Sequence, residues 1–220
     1  MKYKETKELV LAHTRAKLLM YEQYLTIYLS IISNTPFNIN LFDPFCGNGI
    51  YKDGKKGSAL ITYDCVRENF YKMKSISKEY SKDKITMYLN DISLTRIHNV
   101  EKILTEKQAK SPICNIEFSN TLYSELIDEL IQNLKIQNKF EHRNLLFIDP
   151  YGYKNIFRKH IEEILSFNNS EIVLFLPINF IYRFMKISFK DYENAKYDKV
   201  RKFISDFFES PEELINSTQM

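Results

Sequence analysis

Between residues 5 and 33 apolar side chains return every three or four positions. Leu18, Leu19, Tyr21, Leu25, Tyr28, Leu29 and Ile32 follow this helical period. Thr35-Pro36-Phe37 breaks it. Short apolar runs at 39–42, 84–91, 114–119, 144–149 and 171–177 then alternate with helical periods at 58–74, 93–109, 122–138 and 156–167. The run at 144–149 is apolar up to its final acid, as suits a strand covered on both faces. Strands alternating with helices predict βαβ units with right-handed crossovers. The expected fold is α/β: a Rossmann-like, doubly wound three-layer sandwich on a mostly parallel sheet, with an N-terminal helix and a helical C-terminal segment.

The alternation stops near residue 178. Residues 180–208 read as helical and 209–220 as a polar tail. The expected organisation is an N-terminal helical segment (1–36), a Rossmann-like domain (37–178) and a helical extension (179–220). A sheet that ends after five strands is either short or cut off, and the expectation is that the chain is a piece of a longer protein.

Composition adds bounds rather than function. At 220 residues the chain has room for one full core, and 27% charged with 44% hydrophobic residues is ordinary for a globular protein. A formal net charge of +3 is too mild to indicate nucleic acid by itself. Cys46, Cys65 and Cys114 lie far apart with no Cys-x-x-Cys, against a zinc site or a disulfide framework. The charged start is followed by no apolar leader and no run is long enough for a bilayer, so a soluble cytoplasmic protein without membrane or metal is expected.

Chemistry concentrates where the apolar runs end. The first ends in Asp43-Pro-Phe45-Cys-Gly47-Asn-Gly49, an acid followed by two glycines one residue apart. Glycine tolerates positive φ and lets the backbone approach a ligand, and ligands of open α/β sheets sit outside the carboxyl ends of the strands. No Gly-x-Gly-x-x-Gly is present, which disfavours a dinucleotide enzyme. The second run ends in Asn90-Asp91, 48 residues after Asp43, where a carboxylate can accept two ribose hydroxyls or cap the next helix. Asn120, after the third run, can meet an adenine amino group or cap the helix behind it. The fourth run leads into Asp149-Pro150-Tyr151-Gly152-Tyr153. Its acid stands at a strand end, well placed to face a bound group, or the Asp149-Pro150 pair can form a turn capping the following helix. His13-Thr14-x-x-Lys17 can fold over a cofactor, with Lys17 on a carboxylate, or be solvated. Lys52, Lys55 and Lys56 beside Tyr51 form a basic loop that can meet phosphates, although a solvated loop needs no such role.

Acid-x-x-x-Gly-x-Gly resembles the first motif of class I S-adenosylmethionine (SAM) methyltransferases. Asp149-Pro150-Tyr151 partly resembles the Asp/Asn-Pro-Pro-Tyr/Phe motif of amino-group methyltransferases acting on nucleobases, with Tyr151 in place of the second proline and Gly152 in place of the aromatic residue. Together, His13-Thr-x-x-Lys17, Asp43-Pro-Phe-Cys-Gly-Asn-Gly49 with Gly57-Ser58, and Phe147-Ile-Asp-Pro-Tyr-Gly152 resemble the three-Cys-motif partner (TcmP) family of bacteria. That resemblance covers residues 12–177. It implies SAM as cofactor, with Asp43, Gly47 and Gly49 binding it and Asp149 in the active site. The strand-end reading adds Phe45, Asp91 and Asn120 as cofactor candidates and sets Pro150 and Tyr151 with Asp149 at the reacting end, where the nucleobase motif uses its acid and proline carbonyl to hold the target amine. Members of the family are typically encoded beside a three-Cys-motif protein, which is the expected protein partner; neither substrate nor setting follows from the family resemblance. A nucleic acid (DNA or RNA) is the substrate expected from the Asp149-Pro150-Tyr151 match, and a mobile-element or phage-defence setting is a separate expectation. Class I sheets usually close with a sixth strand and an antiparallel seventh, neither of which is evident. A non-catalytic assembly module on the same fold is the competing expectation.

Overall fold

The computed structural model describes residues 11–77, 79–137, 141–150, 152, 156–176, 178, 181–182 and 195–208. Five strands form one sheet: β1 (Asn38–Asp43), β2 (Ile85–Asn90), β3 (Asn115–Ser119), β4 (His142–Ile148) and β5 (Ser170–Leu174). Their order is β3-β2-β1-β4-β5 and every neighbouring pair is parallel. The helices are α1 (Ala12–Ile32), α2 (Ser58–Ile76), α3 (Leu94–Lys110), α4 (Tyr123–Ile136), α5 (Arg158–Ser166) and α6 (Asp198–Phe207). The chain therefore has the expected Rossmann-like three-layer fold, with its topological switch between β1 and β4. No described helix is long and apolar enough to cross a membrane.

Two cores sandwich the sheet because successive strand residues point to opposite faces. Ile39 and Leu41 of β1 and Leu145 and Phe147 of β4 join buried residues of α1, α2 and α3. Leu146 and Ile148 of β4 join those of α4 and α5 on the other face. Asn40 and Asn144, both buried, hydrogen-bond across β1 and β4 at 2.9 Å. A one-residue slip would separate them and turn one strand's side chains to the wrong face.

The first helix runs antiparallel to the strands and across β4 and β5. Lys17 lies beyond the end of β4, Tyr21 stacks on Phe147 with ring centroids 3.9 Å apart, and the Tyr24 hydroxyl donates to Glu171 near the start of β5. Tyr21 is buried, and its hydroxyl pairs with that of Thr62 on α2 at 2.8 Å. Residue 57 rather than 58 holds the N-cap position of α2. A serine at the start of a helix is the residue type expected to cap it, but Ser58 is the first helical residue and its side chain acts on Asp43 instead. Among the described residues no sixth strand follows β5. The helical extension is seen as a 3-10 turn at Ala195–Tyr197 leading into α6, whose Val200, Phe203 and Ile204 form a small core with Ile181.

Tyr21 thus joins α1, α2 and β4. In denaturant titrations Tyr21→Phe should cost about 1 kcal/mol, the loss of one hydroxyl hydrogen bond. Tyr21→Ala should cost about 3–5 kcal/mol through loss of the ring and the cavity left behind.

Candidate active site

The carboxyl ends of β1, β2 and β4 carry Asp43, Asp91 and Asp149. The glycine turn behind β1 places Gly47 at φ 66° and Gly49 at φ 75°, left-handed conformations that a side chain strains. A Cβ on Gly47 would meet nothing within 4 Å, whereas one on Gly49 would lie 3.0 Å from Val100 Cγ2. Gly47 faces open space and Gly49 packs against α3. The chain does not pass from these glycines straight into α2. Ile50 and Lys56 pair in a small antiparallel bridge, and the Gly57 N–H donates to the Gly49 carbonyl at 2.6 Å.

The three loops are knitted together by polar side chains. Asn90, buried, donates to the carbonyls of Pro44 and Thr121 (both 3.1 Å) and accepts from Ser119 Oγ and the Thr121 N–H (both 2.9 Å). Asp91 Oδ2 accepts the Gly47 N–H at 3.1 Å and Oδ1 accepts the Ser93 N–H at 2.8 Å, with Arg96 at 3.7 Å from Oδ2. The Asn120 amide donates to the Asp91 carbonyl at 2.7 Å. Asp91 therefore fastens the glycine turn to the start of α3. Asn120 makes no cap for α4, whose N-cap residue Leu122 also makes no side-chain cap bond.

Asp43 is only 2% exposed, and its Oδ2 has no hydrogen-bond partner. Burial pushes its pKa up to about 7. The negative charges of Asp149 and Asp91 push the same way, while Ser58 and the Phe45 N–H, 3.2 Å from Oδ1, act against them. The Phe45 ring turns away from this group and stacks on Tyr123 of α4 at 4.8 Å.

Asp149 Oδ1 is 2.6 Å from Lys17 Nζ, which also lies 5.4 Å from the centroid of the Phe175 ring. This pairing joins His-Thr-x-x-Lys to the fourth motif. Both side chains are partly exposed, 31% and 22%, so the ion pair contributes about 1 kcal/mol or less. Pro150 directs its carbonyl to the Gly152 N–H at 2.9 Å. The next helix begins only at Arg158, so Asp149-Pro150 does not cap it. Tyr151 and Tyr153 lie outside the described residues. Lys55 and Lys56, on the basic loop, pair with Asp53 (2.9 Å) and Asp64.

No protein-family model, no curated protein and no solved structure matches the chain. The site's own geometry has to carry its interpretation. The structure brings Asp43, Gly47, Asp91 and Asp149 to one crevice, with Asn120 and Pro150 at its border. Phe175 joins them without a sequence signal, because it is an ordinary strand-end residue until the sheet is assembled; Asn90 and Ser58 enter beside it as a tie between loops and a partner of Asp43. Among the described residues no group of three or more His, Cys, Asp or Glu is placed to hold a metal.

Two outcomes follow for stability. Gly47→Ala should cost about 1–2 kcal/mol from left-handed strain alone, and Gly49→Ala about 2–4 kcal/mol because Val100 must also move, as read by urea titration. Asp43 keeps its proton in the fold up to about pH 7 but loses it near pH 4 when unfolded. Its contribution is therefore fully present below about pH 4 and is lost as pH rises to about 7, by up to about 1.4 kcal/mol per unit. Asp43→Asn should flatten that part of the stability–pH profile relative to wild type.

Proposed function

We propose that the chain is a SAM-dependent methyltransferase of the class I type that methylates an amino group of a base in a nucleic acid. The observation that carries this reading is the glycine turn at the switch point, where Gly47 leaves open space and the buried Asp43 has no hydrogen-bond partner on Oδ2. An unpartnered acid at that place suits a cation or a hydroxyl donor and repels a pyrophosphate. Dinucleotide folds place the pyrophosphate at the N-terminus of the helix that follows the glycines, whereas here a hairpin intervenes and the first residue of α2 acts on a carboxylate.

The residues fit a cationic cofactor on two counts. Asp43 Oδ2 is buried and unpartnered, and Gly47 leaves open space where a Cβ would stand. Asp43, Gly47, Gly49 and the Asp91 region would hold the group, with Asn120 at the adenine end. SAM supplies an electrophilic methyl on a sulfonium. The chain's own contribution is orientation and electrostatics. Asp149 and the Pro150 carbonyl are acceptors that can fix the protons of an amine, exposing its lone pair. The nearby Asp149 and Asp91 charges favour the protonated form of Asp43, and a bound cation would reverse that preference.

The resemblance to the TcmP family extends this proposal to a three-Cys-motif protein as partner. A second reading, a non-catalytic assembly module, is favoured by one observation: Lys17 already occupies the Asp149 carboxylate.

Calorimetry with S-adenosylhomocysteine should show binding to the wild type and none to Gly47→Val; no binding to wild type defeats the cofactor assignment. Tritiated methyl transfer to pools of DNA, RNA and protein should label nucleic acid, with Asp149→Ala lowering the rate about a hundredfold or more. Bound cofactor without any labelling would favour the assembly module.

A further inference from the structure

Lys17 is held as an acceptor amine would be. Its ammonium donates to Asp149 Oδ1 at 2.6 Å and lies within cation–π range of Phe175, 5.4 Å from the ring centroid. The carboxylate comes from the end of β4 and the ring from the end of β5. Both are fixed: the Phe175 N–H donates to the Ile148 carbonyl at 2.9 Å, and its ring meets Phe147 edge-on at 5.8 Å. A carboxylate beside an aromatic face is a receptor for an N–H-bearing planar or cationic group. It also borders the crevice, since Asp149 is close enough to act on Asp43.

We propose that Lys17 is an internal stand-in for the acceptor, occupying the amine subsite formed by Asp149 and Phe175 until an amino-bearing base displaces it. The inference rests on the methyltransferase reading above and adds to it a competitor for the amine subsite, carried by the first helix. Displacement requires only the Lys17 side chain to move. The helix beneath it is anchored by Tyr21 on Phe147 and Thr62 and by Tyr24 on Glu171. The lysine side chain is 31% exposed, so its ammonium can swing into water without becoming a buried charge. Selectivity follows from what is left behind. Once Lys17 departs, Asp149 needs a donor. An amino edge supplies one, whereas a keto edge sets oxygen against oxygen and leaves the carboxylate unpaired.

The test measures binding of cytidine, adenosine and thymidine to wild type, Lys17→Met and Lys17→Arg by calorimetry, with S-adenosylhomocysteine titrated separately. Lys17→Met should bind cytidine or adenosine up to about fivefold tighter than wild type, the gain that an ion pair of about 1 kcal/mol had withheld. Thymidine should gain nothing, Lys17→Arg should behave as wild type, and adding Asp149→Asn to Lys17→Met should abolish the gain. Lys17→Gln provides a second uncharged variant should Lys17→Met fail to fold. Equal nucleoside affinity in wild type and the uncharged variants overturns the proposal, as does weaker binding in those variants, which would make Lys17 a prop for Asp149. Either result with S-adenosylhomocysteine bound leaves the cofactor assignment standing. Absence of S-adenosylhomocysteine binding from wild type and Lys17→Met alike overturns that assignment instead.

Discussion

The parallel pairing of β1 with β4 is the constraint on which the rest depends. These strands are not consecutive, and the chain must travel out through β2 and β3 and return before they can meet. Their register, Phe42 opposite Leu146, carries Asp43 and Asp149 to the same end of the sheet. Because the crossovers leave in opposite directions from this pair, the loops diverge there and open a crevice. The buried Asn40–Asn144 hydrogen bond guards the register from inside, where an unpaired amide would be costly.

Three carboxylates gathered at one crevice repel one another, and the fold answers each differently. Asp91 is held by backbone N–H groups of Gly47 and Ser93, so its charge also organises the turn. Asp149 is balanced by a lysine from the first helix. Asp43, enclosed and with its Oδ2 unpartnered, instead holds its proton to about pH 7. The three solutions differ in how readily they can be undone. Backbone ties are structural, a half-exposed ion pair can exchange its partner, and a buried proton can leave when a positive group arrives.

The first helix links the architecture to this chemistry. Its Tyr21 and Tyr24 anchor it along β4 and β5, and Lys17, one turn before Tyr21, is thereby delivered to the open end of the sheet. The place of Lys17 ahead of Tyr21 and Tyr24 is thus a geometric consequence of a helix running antiparallel to the strands. The aromatic contacts fix where the helix lies, and the lysine reaches what lies beyond them.

Much of this was written in the order of residues. The switch from a period of three or four to short apolar runs determined the strands and helices, since side-chain burial on each element needs only local periodicity. The glycines after Asp43 announced a tight turn because left-handed backbone is a local demand, and both have positive φ. The ends of elements were less legible: Ser58 became the first turn of α2 rather than its cap. The pairing of Lys17 with Asp149, the turning of Phe45 toward Tyr123, the use of Asp91 as a fastening and the entry of Phe175 into the site were decided only by tertiary structure. Each is a contact between residues distant along the chain, and the energies that select among such contacts arise from packing and desolvation once the sheet has closed. Local sequence determined which chemical groups stand at the strand ends, and the assembled fold determined which of them meet.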